Sequence, residues 1–197
     1  MVAKDKQFAP LFTSDEDVYN NACVNWCHDP LELYTTAYKE AAAKLVEEVV
    51  SSHRHQDTLV YPIVFLYRQY IELRLKEIIR EGRKLVEEPG NFPMHHHIHE
   101  LWPIAKAIIE KVFQNEEGKP DFGFVEHVLA EFSNYDPESF SFRYPTDKKG
   151  NNPLSGLTHI NVRNLAETID RLAEILEGAS TEISVYRGWQ NDMYSSI

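Results

Sequence analysis

Cysteine is nearly absent: the 197 residues hold two, Cys23 and Cys27, four apart on one face of an expected short helix. That spacing does not suit a disulfide, so both read as buried reduced thiols, and a disulfide scaffold or a cysteine-based zinc ribbon is excluded. Long apolar runs are missing too. Nothing approaches the roughly 20 uninterrupted apolar residues of a membrane span, and residues 1–14 lack the apolar run of a signal peptide, so a soluble, cytoplasmic protein is expected. Basic residues are scarce, 20 Lys and Arg against 31 Asp and Glu, and the net charge of −11 opposes indiscriminate binding to nucleic acid or to an anionic membrane. Any such contact must be local. Also lacking are a Gly-x-Ser-x-Gly elbow, a phosphate-loop Lys motif, a dinucleotide fingerprint and spaced Cys pairs, which weakens the case for an enzyme. No cofactor is implied.

What remains is a globular composition, 43% hydrophobic with 12% aromatic residues, on a chain long enough to bury a core without staples. The apolar residues recur at helical spacing, and the fold class expected is all-α. Residues 14–27 carry Val18, Ala22 and Trp26 behind Ser14, giving a helical extension over residues 1–28. Asp29-Pro30 opens the next helix, with Asp29 as N-cap answered by Glu32, and the helix runs to about Ser52, burying Tyr38, Ala41, Leu45 and Val49. Residues Val60 to Ile79 are apolar nearly all round in their early turns and mark a central bundle helix. Gly82 and Pro89-Gly90 close it. A further helix carries Leu101, Ala105, Ile108, Ile109 and Val112, with Pro103 in its first turn or kinking it, and Asp121 caps another through about Ser133. A long loop follows at about 134–157. The last helix sets Val162, Leu165, Ile169, Leu172 and Leu176 by threes and fours, with Thr158 as N-cap and Gly178 as its stop. The bundle domain spans 29–178, and 179–197 is expected as an extended C-terminal tail.

Three constellations bear on function. Arg68, Glu72, Lys76 and Arg80 form a stripe at intervals of four on the central helix, either a solvated salt-bridged face or the lining of a polar cleft between helices. From Arg68 to Lys84 there are six basic and three acidic residues, a positive island in an acidic chain. His95, His96, His97 and His99 invite a metal, yet no second element offers partner ligands, so no metal is expected; these histidines read as a helix start with local hydrogen bonds, one of them lining a pocket. Phe142-Arg143-Tyr144-Pro145 sets a cation between aromatics, suited to stack, to pair with a carboxylate, to grip a phosphate, or to pin the loop to a helix.

Tyr61-Pro62, Phe65-Leu66-Tyr67-Arg68-Gln69-Tyr70, Glu72-Leu73 and Leu75-Lys76, together with His96, Ile98, Leu101-Trp102 and Phe142-Arg143-Tyr144-Pro145, resemble HEPN-type (higher eukaryote and prokaryote nucleotide-binding) domains over most of residues 30–178. The resemblance implies a compact antiparallel helical bundle, a homodimer, and a place in toxin-antitoxin or phage-defence systems. HEPN ribonucleases carry Arg, a polar residue, about three others, then His. Here Arg163-Asn164 supplies the start and Thr168 stands where the imidazole belongs, so the usual acid-base group is missing, with His159 and His96 as the substitutes available in space. The reading is therefore a noncatalytic module that binds a nucleotide, an RNA end or another small anion in an inter-helical cleft through Arg68, Glu72, Lys76, His96, Arg143 and Tyr144. The alternatives are an atypical metal-independent ribonuclease using Arg163, Asn164, His159 or His96, and a protein-interaction adaptor or antitoxin that presents Tyr186 and Trp189.

Overall fold

The computed structural model describes residues 10–27, 29–113 and 120–195. The chain divides into two units, residues 1–30 and 31–197. In the first, the helix expected over 14–27 does not form; a single 3-10 turn, Val18–Asn20, stands in its place. Its polar side chains compete with the helix for the backbone. Asn21 Oδ1 accepts from Asp15 N at 3.0 Å, Asn21 Nδ2 donates to Asp15 O at 2.6 Å, and Asn20 Nδ2 donates to Asp17 Oδ2 at 2.5 Å. Cys23 is exposed and Cys27 half-buried, both free, so the expectation of buried thiols fails with the helix that was to bury them.

The second unit is a bundle of five helices: α1 (Pro30–Ser52), α2 (Gln56–Leu85), α3 (Ile98–Val112), α4 (Phe122–Tyr135) and α5 (Val162–Ser195). No strand occurs among the described residues, and none of their helices is long and apolar enough to cross a membrane. α2 is the axis, as its all-round apolar pattern predicts. Ile63, Tyr67, Ile71, Leu75, Ile78 and Ile79 pack with Ile98, Leu101, Ala105, Ile108 and Ile109 of α3 and with Ile169, Leu172, Leu176 and Ile183 of α5. Each such side chain contributes about 1.5–3 kcal/mol on leaving water. α1 buries Thr35, Ala42 and Val49, one residue every seventh position, while Tyr38 and Leu45 stay half-buried beside them.

Chain directions follow from the cross-contacts. Tyr70 meets Glu177, Glu77 meets Ser180, Glu81 meets Arg187 and Leu85 meets Gln190, so α2 and α5 run in the same sense. Arg68 meets His96 and Gly82 packs on Ile108, so α3 also runs along α2, and the antiparallel packing expected for the bundle does not hold among α2, α3 and α5. The returns are made by the long connections 86–97 and 136–161. α1, joined to α2 by three residues with His53 and His55 at positive φ, runs against it: Lys39 lies over the Tyr70 ring.

Two boundaries differ from expectation. Asn161, not Thr158, caps α5, its Oδ1 accepting from Asn164 N at 3.0 Å. α5 also continues through Gly178 to Ser195, so residues 179–195 are helix and not an extended tail. Gly178 stops a helix only where a left-handed residue is needed, whereas Ala179 and Ile183 keep the buried face going beyond it.

Candidate functional site

The charged stripe of α2 is inside the protein. Arg68 is 0% exposed, Glu72 1% and Lys76 5%, which removes the solvated face from consideration, and the open cleft as well. Glu72 is the hub. Its Oε2 accepts from Arg68 Nη1 at 3.1 Å, and its Oε1 from Lys76 Nζ at 2.8 Å, with His96 Nδ1 also 2.8 Å from Oε1. Arg68 Nη2 donates to the His96 carbonyl at 2.5 Å, so α2 holds His96 by ring and by backbone. Lys76 lies over the Phe92 ring, 5.6 Å from its centre. Burial alone would raise the Glu72 pKa, but the hydrogen bonds from Lys76 and His96 outweigh it and hold the carboxyl below its usual range. For Arg68 burial wins, pushing its pKa down against the pull of Glu72 and Asp136. Arg80, the fourth member of the stripe, pairs with Glu81 at 2.7 Å instead.

A second buried set lies one helical face away. Arg74 Nη1 donates to both Glu77 oxygens at 3.0 Å, Ser180 Oγ donates to Glu77 Oε1 at 3.0 Å, and Tyr70 Oη and Lys39 Nζ each donate to Glu177 at 3.0 Å. These bonds join α1, α2 and α5. Burial raises the Glu77 pKa in spite of Arg74.

Asp136 organises the loop after α4. It is 1% exposed, and its Oδ1 accepts from Phe140 N at 2.6 Å and Ser141 N at 2.8 Å, with Ser139 at φ 56° completing the turn. This folds Arg143 back: its Nε donates to Ser139 O at 2.6 Å, and its guanidinium lies 5.6 Å from the ring centres of both Phe65 and Tyr144. Tyr144 stacks on Phe140 at 4.8 Å. Arg143 is exposed, and its two terminal nitrogens make no hydrogen bond among the described residues. It both pins the loop and presents a cation.

That cation opens onto a groove of about 940 Å³ between the first turns of α2 and the 141–160 segment. The lining includes Gln56, Asp57, Tyr61, Arg143, Tyr144, Asn152 and His159. Tyr61 and Tyr144 are about half exposed, at 48% and 52%. Of the residues expected at the site, Arg143 and Tyr144 therefore line the groove with His159. Arg68, Glu72 and Lys76 do not; they are buried further along α2, against His96 and Phe92, where Arg68 still feels the repulsion of Arg143. His96, exposed in its side chain, belongs to the buried hub and lies outside the groove lining. Arg163 and Asn164 are exposed on the first turn of α5, also outside that lining, and Thr168 Oγ1 donates to the Asn164 carbonyl. Sequence reasoning missed Gln56, Asp57, Tyr61 and Asn152. The available signal was Asp57 in the first turn of α2, where a polar residue beside exposed backbone amides marks a solvent-facing end.

When the chain was compared with protein-family models, with curated proteins and with solved structures, none of them matched.

Proposed function

We propose that this protein is a noncatalytic HEPN-like module that binds a nucleotide or an RNA end in the groove at the start of α2. One observation carries the reading: Arg143, its Nε committed to the loop and its terminal nitrogens without a hydrogen bond among the described residues, sits between Phe65 and Tyr144 at the mouth of a groove that also presents Tyr61 and His159. Guanidinium pairs with phosphate oxygens by charge-assisted hydrogen bonds, and half-exposed tyrosines offer faces on which a base stacks. The net charge of −11 disfavours a long polyanion. In this reading Arg68, Glu72 and Lys76 do not touch the ligand; they tie the middle of α2 to the segment before α3.

Calorimetric titration with a panel of nucleoside monophosphates and short RNAs tests this. At least one should bind, and Arg143→Ala should weaken it about tenfold to a hundredfold, the worth of a charge-assisted bond. Failure of the whole panel to bind or to raise the melting temperature overturns the proposal.

A ribonuclease remains as a second reading because His159 shares the groove with Arg143, placing an acid-base group beside a phosphate anchor. Arrest of growth on expression, relieved by His159→Ala, would favour it. A homodimer fits either reading. Val185, Trp189 and Met193, spaced by four on α5 and 42%, 59% and 71% exposed, form the apolar stripe on which a second copy would pack. Light scattering of Trp189→Glu against the unmodified chain tests that assignment.

A further inference from the structure

The four histidines at the start of α3 do not act alike. His96 turns inward to Glu72, whereas His95, His97 and His99 turn to Glu100. His97 Nδ1 lies 2.9 Å from Glu100 Oε1, His95 Nε2 lies 3.5 Å from Glu100 Oε2, and His99 Nε2 lies 3.6 Å from Glu100 Oε1. One ligand atom each from His95, His97 and Glu100 falls within 4.8 Å of the others.

We infer that His95, His97 and Glu100 form a binding site for a divalent transition-metal ion of the zinc class, with water completing its coordination. A four-coordinate zinc with bonds of about 2.0–2.1 Å sets its ligand atoms about 3.4 Å apart. The spacings to Glu100 bracket that value, so small side-chain rotations bring the set onto an ion. Imidazole donors favour zinc, copper or nickel over magnesium and calcium, which take oxygen ligands. The Glu100 carboxylate supplies negative charge that offsets the positive end of α3. Ligation through His95 Nε2 moves that ring's proton to Nδ1 and gives up the 3.3 Å bond from the His97 amide, a long contact that costs little. An ion held there ties the loop on both sides of His96 to the first turn of α3. It thereby braces the segment that α2 grips through Arg68 and Glu72.

The test is a calorimetric titration of the full chain with zinc chloride, paired with thermal melting and with the visible absorption of cobalt(II) in the same site. The site requires saturable uptake of one ion per chain and a melting temperature raised by about 5–10 °C at zinc roughly a hundredfold above Kd. Magnesium chloride should do neither. The pair His95→Ala with His97→Ala should abolish both effects. His127→Ala, which removes an exposed histidine paired with Glu131 on α4, should leave them intact. Because His97 also begins α3, His95→Gln serves as the milder variant and must by itself weaken zinc binding at least about tenfold. Zinc affinity unchanged in His95→Gln, or no saturable uptake by the unmodified chain, overturns the assignment.

Discussion

Replacing Glu72 with glutamine keeps the side chain's shape and removes the charge on which three groups converge. Arg68, with 0% exposure, would be left inside the bundle without its counter-charge, and Lys76 with it. Breaking a buried ion pair from one side costs about 3–5 kcal/mol, because the surviving charge is uncompensated. At about 2–4 °C per kcal/mol for a chain of this size, the melting temperature of Glu72→Gln should fall by about 6–20 °C. Urea unfolding followed by far-UV circular dichroism measures the loss directly. Replacing all three charges together, Arg68→Met with Glu72→Leu and Lys76→Met, should cost less than Glu72→Gln alone, since no orphaned charge remains. A cost below about 1 kcal/mol for Glu72→Gln, the size of a surface pair, would refute the reasoning.

Acid should treat the two buried glutamates of α2 oppositely. The Glu72 pKa is lowered in the folded state, so its stabilisation is complete above the ordinary glutamate pKa of about 4.3 and drains away as pH falls through the lower folded value. The Glu77 pKa is raised, so falling pH stabilises the wild type relative to Glu77→Gln between the folded value and the ordinary one; parallel urea titrations across that range read both signs. Gly82→Ala should destabilise by about 1–3 kcal/mol despite the better helix propensity of alanine, because the new Cβ would lie 2.2 Å from Ile108 Cγ2. Adding Ile108→Ala should make the combined loss less than the sum of the two, a result that denaturant melts of the four proteins decide. Gly178→Ala should stabilise by about 1 kcal/mol, since nothing lies within 4 Å of the new Cβ and the position is mid-helix; destabilisation in the same melts would mean that α5 ends there.

The helical class, the central place of α2 and most core positions were legible because buried faces repeat at helical spacing, and Ile63 to Ile79 or Val162 to Leu176 display it without interruption. Failure came where one residue type serves two purposes. Gly178 carries a stop signal, but the apolar spacing resumes at Ala179 and Ile183, and packing against α2 outweighs the cost of a mid-helix glycine. Val18 and Trp26 have helical spacing, yet Asp15 and Asp17 before Val18 bond with Asn21 and Asn20 after it and hold the backbone in a turn. Charge spacing gave the stripe Arg68, Glu72 and Lys76 but not its burial, because a four-residue interval is the same on a wet face and a dry one. His96 comes from a distant loop, so its pairing with Glu72 had no local signature. The groove was half legible: Phe142 to Pro145 announced a cation among aromatics, while Tyr61 and Asp57 reach it only through the fold.

The most direct test of the functional account is equilibrium binding of a short RNA with and without a terminal phosphate, measured against rising salt for the wild type and for Arg143→Ala. The account predicts tighter binding of the phosphorylated RNA, a shallow slope of about −0.7 to −1.4 in log K against log salt for one or two phosphates, and loss of the difference in Arg143→Ala. Equal affinity for the two RNAs, or a preference for the phosphate that survives removal of Arg143, would contradict it.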